Sequence, residues 1–330
     1  MQTSRPLTLK DIFLLVKSDL AEVETRLDTE IQSAIPLVND INRYLHTSGG
    51  KRLRPAVLLL ASKLCGARTE AAHRLSVVVE LIHVATLVHD DIIDNSDVRR
   101  GRPSVNAKWG NQITVLMGDW LYMTSFQIAM KERSMRILDI LIDITRKMVE
   151  GELLQLELEG RMDITEPQQS QISLYKTAYL FSGCGRLGAI LGNMDPAREE
   201  GLALYGRSLG MAFQLVDDQL DYTSAQKDMG KPVLKDLEEG KMTLPIIFML
   251  RRARRAEKDF VRQVILQHDF SDANKQEILG LVWKYGALDE LKLRARAYAQ
   301  QARDALAVFP DSIYRDALLQ VPDFVLDRNN

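Results

Sequence analysis

The stretch "RLSVVVELIHVATLVHDDIID", residues 74–94, decides the fold. Its apolar residues recur at three- and four-residue spacing, the period of a helix. It is too apolar to lie on a surface, so a buried helix is expected, starting near Thr69. That helix ends on Asp90, Asp91 and Asp94. Asp90 and Asp94 are four apart and share one face. They stand where the backbone dipole is already negative. Read alone, such acids are a solvated helix end. At the end of a buried run they point instead to a divalent cation. Mg²⁺ fits, because it takes one or two carboxylates, keeps waters and completes its shell with substrate phosphates.

The device occurs twice. "FQLVDDQLDY", residues 213–222, ends a second apolar helix on Asp217, Asp218 and Asp221. Arg99, Arg100 and Arg102 follow the first motif; Lys227, Lys231, Lys235 and Lys241 follow the second. Opposed across a cavity, the two motifs would hold several Mg²⁺ ions, and the cations would complete a site for a diphosphate. Arginine offers a planar fork to phosphate oxygens and lysine a mobile point charge.

The rest of the chain is helical in pattern. "LTLKDIFLLVKSDLAEVETRL" (7–27), "ILDILIDITRKMVEGELLQLELEG" (137–160) and "EILGLVWKYGALDELKLRARAYAQQARDALAVF" (277–309) share the period. Asp195 before Pro196 and Ser271 before Asp272 mark helix starts. Two long loops are expected, near 95–110 and 222–242. No linker or repeat divides the chain, so residues 1–330 are expected to form one all-α domain, a bundle of roughly ten helices around a central cavity. Of 330 residues, 46% are apolar and 27% charged, and the net charge of −2 gives no basic field for nucleic acid. Cys65 and Cys184 have no metal-ligand spacing, and a reduced, cytoplasmic setting is expected. The apolar patch Phe13 to Val16 is too short for a signal-peptide core, and no eighteen apolar residues run together, so no membrane span is expected.

Seven stretches, in order, carry a resemblance: "GGKRLRP" (49–55), "LIHVATLVHDDIIDNSDVRRGRPSVN" (81–106), "MGDW" (117–120), "EGELLQL" (150–156), "YKTAYLF" (175–181), "FQLVDDQLDY" (213–222) and "GKPVLKDLEEGKMTLP" (230–245). The chain resembles the trans-isoprenyl diphosphate synthases, the polyprenyl synthetase family, and among them the long-chain octaprenyl, heptaprenyl and solanesyl diphosphate synthases. The resemblance implies the isoprenoid synthase fold and Mg²⁺-dependent condensation of isopentenyl diphosphate with an allylic prenyl diphosphate, with about three ions once substrate is bound. It implies Asp90, Asp94 and Asp217 as principal metal ligands, with Asp91, Asp218 and Asp221 as direct or water-mediated partners. Arg99, Lys176 and Lys231 would hold the allylic diphosphate, with Lys241 at longer range. Thr177 and Gln214 would line the allylic cation, so Lys176, Thr177 and Gln214 are the catalytic candidates. Lys51, Arg54, His83 and Arg100 would hold isopentenyl diphosphate. Glu150, Glu152 and Gln155 are expected to be structural or supporting, and a homodimer is implied. Leu234 departs from the pattern, since many relatives have glycine there.

Two other classes share parts of this pattern. A terpene cyclase shares the all-α fold and the first motif but needs no second diphosphate site, which "GGKRLRP" supplies. A non-catalytic partner subunit of a heteromeric synthase lacks intact aspartate motifs, and here both are present. Short-chain members, making farnesyl or geranylgeranyl diphosphate, carry an aromatic plug four or five residues before the first aspartate. Those positions here are Thr86 and Ala85, with Ile82 further back. A medium-to-long all-trans product is therefore expected, octaprenyl centrally, with Tyr122, Met123 and Phe126 as candidates for the stop. Met117, Met123 and Met130 are expected in the core or along this tunnel.

Overall fold

The computed structural model describes residues 8–47, 50, 52–223 and 233–327. Lys51, Lys227 and Lys231, expected at the diphosphates, lie outside the described residues. The described residues are almost wholly helical. In order they form α1 (Leu9–Leu15), α2 (Lys17–Glu30), α3 (Pro36–Thr47), α4 (Leu53–Leu64), α5 (Thr69–Ile93), α6 (Val105–Trp109), α7 (Asn111–Ala129) and α8 (Met135–Leu158). Then come α9 (Glu166–Ser173), α10 (Tyr179–Leu191), α11 (Pro196–Thr223), α12 (Lys235–Glu238), α13 (Leu244–Arg252), α14 (Arg255–Gln267), α15 (Asp272–Lys284), α16 (Ala287–Ala305) and α17 (Ile313–Leu326). The segments are shorter and more numerous than ten because long periodic runs are broken. Residues 7–27 divide at Val16, and residues 277–309 divide at Tyr285 and Gly286, where φ is +60°.

Caps explain the boundaries. Asp195 accepts from the backbone N–H groups of Ala197 and Arg198 at 3.0 and 3.1 Å, opening α11. Ser271 stands at the start of α15, but its hydroxyl makes no cap bond. A two-strand hairpin, β1 (Val98–Arg99) with β2 (Arg102–Pro103), interrupts the loop expected at 95–110. Its turn residues Arg100 and Gly101 have φ of +53° and +73°, the left-handed pair that matches strand twist in a tight hairpin.

Two compact units emerge. One comprises residues up to Thr145 with Gly183–Leu204 and Leu306–Gln320; the other comprises Arg146–Ser182, Tyr205–Ala305 and the chain from Val321. In the first, α5 packs against α2, α4 and α7. At 1.5 Å per residue it is about 38 Å long. By length and hydropathy α5 matches a bilayer-crossing helix, but 67% of its most apolar eighteen residues is buried inside the protein, as in a core helix. In the second, α13 packs against α9, α15 and α16 around Phe248, Ile246 and Leu291. Cys65 and Cys184 are free and buried, and burial pushes both thiols up to about 12, so neither is ionised near neutral pH.

Candidate active site

In the first unit, α5 and the hairpin assemble a basic cavity of about 50 Å³, whose lining includes His83, Arg99, Arg100 and Asp91. His83, Leu87 and Asp91 recur at four-residue spacing, so α5 turns one face to the cavity. His83 is kept neutral well below its ordinary pKa by burial, then by Arg54, Arg100 and Arg99. A neutral imidazole among arginines can donate to an anion without adding to the cationic crowd. Arg100 holds its position through the strained hairpin turn, and Arg54 sits in the first turn of α4.

Asp91 differs from its two neighbours. It is 2% exposed and accepts from Arg99 Nε at 2.6 Å. Its carbonyl accepts from Asn106 Nδ2 and from the Ser96 N–H. Asp91 thus anchors the hairpin to the helix end, with one carboxylate oxygen engaged by Arg99. Arg99, expected on the allylic side, lines this cavity with His83 and Arg100. Asp90 and Asp94 are half-buried. Burial, Asp90 and Asp119 together raise the pKa of the Tyr122 hydroxyl. Ile82 and Ala85 are fully buried, and Thr86 is half-buried with its hydroxyl bonded to the His83 carbonyl. Phe126 is half-buried, but Met123 is 64% exposed and Met130 53%; of the three methionines only Met117 is buried. Tyr122 and Met123 are adjacent, about 100° apart on the helix, so they cannot share a face.

In the second unit, "LYKTA" (174–178) forms one turn of π-helix between α9 and α10. Such turns recur at functional sites because the extra residue re-aims side chains. Here it carries Lys176 and Thr177. Lys176 Nζ reaches Glu152 at 2.5 Å and Gln155 at 3.0 Å, two of the three side-chain acceptors in "EGELLQL". Glu150 pairs with Lys147 at 2.6 Å instead. Between the two glutamates, a Cβ on Gly151 would lie 2.7 Å from Tyr175 Cβ and 3.1 Å from the Lys176 nitrogen. Gly151→Ala is therefore expected to displace the π-turn and lower turnover at least about tenfold, with far-ultraviolet circular dichroism unchanged. Turnover within twofold of the parent would refute this role for the glycine.

Thr177 Oγ1 donates to Gln214 Oε1 at 2.6 Å, and Gln214 Nε2 donates to Asp218 at 2.8 Å. This relay fixes the direction of both oxygens. Asp217 is exposed, whereas Asp218 is 3% exposed. Burial raises the pKa of Asp218 well above the ordinary 3.8, and Asp236 and Asp217 raise it further. Asp221 is pushed up to about 7 by burial and Asp236, although it accepts from the Lys235 N–H at 3.0 Å and from the Asp236 N–H at 3.4 Å. Burial raises Asp236 as well, and Lys241 opposes this. Asp236 was not anticipated. The acids of this cluster cannot all ionise cheaply without added positive charge, and their hard oxygens suit Mg²⁺. Among the described residues no three acid, histidine or cysteine side chains converge tightly enough to hold an ion unaided.

Comparison with known proteins follows the same lines. Residues 35–282 match the family model "Polyprenyl synthetase". The chain is 36% identical to the octaprenyl diphosphate synthase of Haemophilus influenzae, over 98% of each chain. It is similar to the crystal structure of a decaprenyl diphosphate synthase from Rhodobacter capsulatus, with TM-score 0.93 and 36% identity over 97% of this chain and 99% of that one. A polyprenyl synthase from Caulobacter crescentus, solved in complex with calcium and isoprenyl diphosphate, gives TM-score 0.92 and 35% identity over 99% of both chains. The chain belongs to the polyprenyl synthetase family.

Proposed function

We propose that this chain is a long-chain trans-polyprenyl diphosphate synthase. It is a prenyltransferase that condenses isopentenyl diphosphate with an allylic prenyl diphosphate to give an all-trans product of heptaprenyl to decaprenyl length, octaprenyl centrally. The observation that carries the reading is the basic cavity around His83, which supplies a diphosphate place in addition to the two aspartate motifs. A cyclase would have no use for it. Relatives named for octaprenyl and decaprenyl products support the chain length.

Bound Mg²⁺, held by Asp90, Asp94 and Asp217 with the buried acids behind them, would neutralise the departing diphosphate. About three ions would serve, shared with the substrate. Arg99, Lys176 and Lys231 hold the allylic diphosphate, with Lys241 at longer range. Its C1–O bond breaks and the electron pair leaves with the diphosphate. The oxygens of Thr177 and Gln214, fixed by their relay, face the allylic cation as preorganised dipoles. Arg54, His83 and Arg100, with Lys51, hold isopentenyl diphosphate so that its double bond attacks C1. A carbon–carbon bond forms, and a proton leaves to the diphosphate just released.

Residues 1–330 are read as one domain, a reading supported by both compact units being discontinuous in sequence. A homodimer is supported by α8, which exposes Met135, Ile142, Val149, Leu153 and Leu156 along one face, and by exposed Leu116 and Met123 on α7. Met123 thus belongs to a proposed subunit face rather than to the stop. Leu153→Glu is expected to give a monomer by sedimentation; a persistent dimer would remove this face from the interface. Two buried, unpaired cysteines fit a cytoplasmic location.

Purified protein incubated with Mg²⁺, farnesyl diphosphate and labelled isopentenyl diphosphate should yield linear longer diphosphates. A cyclised hydrocarbon, or turnover only after adding a second chain, would overturn the reading. The two diphosphate places should also separate. Arg54→Ala removes a charge-assisted contact of about 1.5–3 kcal/mol and should raise KM for isopentenyl diphosphate at least about tenfold. Lys176→Ala should act on the allylic substrate instead. Equal effects of both variants on the same KM would refute the assignment.

A further inference from the structure

The first arginine of "GGKRLRP", Arg52, has no role in the account so far, yet its backbone is constrained. Arg52 sits at φ +47° and ψ +33°, a left-handed conformation that side chains other than glycine rarely adopt. Its guanidinium is divided between two acids. Nε and Nη2 donate to Glu24 at 2.5 and 3.1 Å, and Nη1 donates to Glu80 at 2.5 Å. Glu80 is 5% exposed on the same helix as His83, and both line the basic cavity with Arg52, Arg99 and Arg100. A buried carboxylate beside a pocket for a diphosphate is misplaced unless a cation cancels it. Gly50 completes the arrangement, since a Cβ there would come within 3.2 Å of Arg52 Nη1 and 3.6 Å of Arg100 Nη1. The glycine therefore leaves room for the Arg52 guanidinium, with that of Arg100 at ordinary contact distance.

We infer that Arg52 is a positioning residue for isopentenyl diphosphate: forked between Glu24 and Glu80, it cancels the Glu80 charge at the cavity and fixes the backbone turn from which α4 and Arg54 start. This rests on the proposed function. The fork matters as much as the charge, because an ammonium cannot hold two carboxylates in fixed planes. Strain of this kind persists where the surroundings over-determine it. Here the ion pairs on either side do so.

The test is steady-state condensation of farnesyl diphosphate with isopentenyl diphosphate, with KM for each substrate and kcat measured separately. Arg52→Met should raise KM for isopentenyl diphosphate roughly tenfold, since it leaves Glu80 facing the ligand, while the farnesyl diphosphate KM stays within about twofold. Arg52→Lys, which retains the charge and threatens folding less, should raise it about threefold. Adding Glu80→Gln to Arg52→Met should recover most of the loss, because the uncompensated charge goes with its partner. Equal changes in both KM values, a fall in kcat alone, or no recovery in the double variant would each overturn the inference. Failure of the unmodified protein to condense the two substrates would overturn the function itself, a separate outcome.

Discussion

Asp217→Asn and Asp90→Asn are each expected to lower turnover by about 10³-fold or more, with helical content unchanged. Stabilisation of a departing diphosphate by bound cations is worth several kcal/mol, and each 1.36 kcal/mol is tenfold in rate. The second motif has a thermodynamic counterpart. Asp218 and Asp221 are held above the ordinary 3.8 by burial and by Asp236, with Asp221 at about 7. Between roughly pH 4 and 7 the folded state binds more protons than the unfolded state, so stability falls as pH rises across that window. Metal-free protein should therefore melt at a higher temperature at pH 5 than at pH 7.5. Mg²⁺ should raise the midpoint at pH 7.5 and much less at pH 5, where protons already occupy the carboxylates. Asp218→Asn should remove part of the pH dependence while impairing catalysis. Calorimetry across pH with and without Mg²⁺ measures this. A midpoint that rises with pH in chelator, or activity that survives excess chelator, would sink the electrostatic account.

The elements legible in the sequence are those whose signal is repeated. α5 announces itself through seven turns of apolar spacing, and Thr69 and Asp94 bound it as expected. The aspartates stand out because charge at the end of a buried run needs a partner. Features made by one residue were not legible. The hairpin rests on two-residue strands and on Arg100 at positive φ, and neither disturbs a periodic pattern. The π-turn at Lys176 and Thr177 adds a single residue to a helix, too little to shift an apolar stripe. Asp236 lies in "KDLEEGK", which reads as a solvated acidic helix; only the fold brings it to Asp221. Two residues before Asp236, Leu234 departs from the glycine that the resemblance implies at that position. Leu234 occupies φ +57°, costing roughly 1–2 kcal/mol, and its side chain is fully buried, which returns about 1.5–3 kcal/mol.

Ala85→Phe is expected to shift the product from about octaprenyl to farnesyl or geranylgeranyl diphosphate. The growing tail is apolar, and each five-carbon unit leaving water gains about 4 kcal/mol at ~0.8 kcal/mol per carbon. A tail that starts at the aspartates must therefore run between apolar helices. Val78, Val79, Ile82 and Ala85 are all 0% exposed and stand on the stretch of α5 behind Asp90. None is aromatic, so none fills space as a ring would. Ala85 lies five residues before Asp90, about 7.5 Å along the axis, so a phenyl ring there would stop a chain after few units. The competing account is that Ala85 only lets two helices pack closely. In that case a ring would overpack the core and cost about 1–3 kcal/mol, lowering the melting temperature without changing product length. Thr86→Phe separates the two accounts. Thr86 is half-buried and its hydroxyl bonds its own helix, so a ring there meets more open space and strains the fold less. Products resolved by chain length decide between them. Shortened products from either active variant place the tail beside this turn of α5, and unchanged long products from both folded variants would show that the chain takes another path.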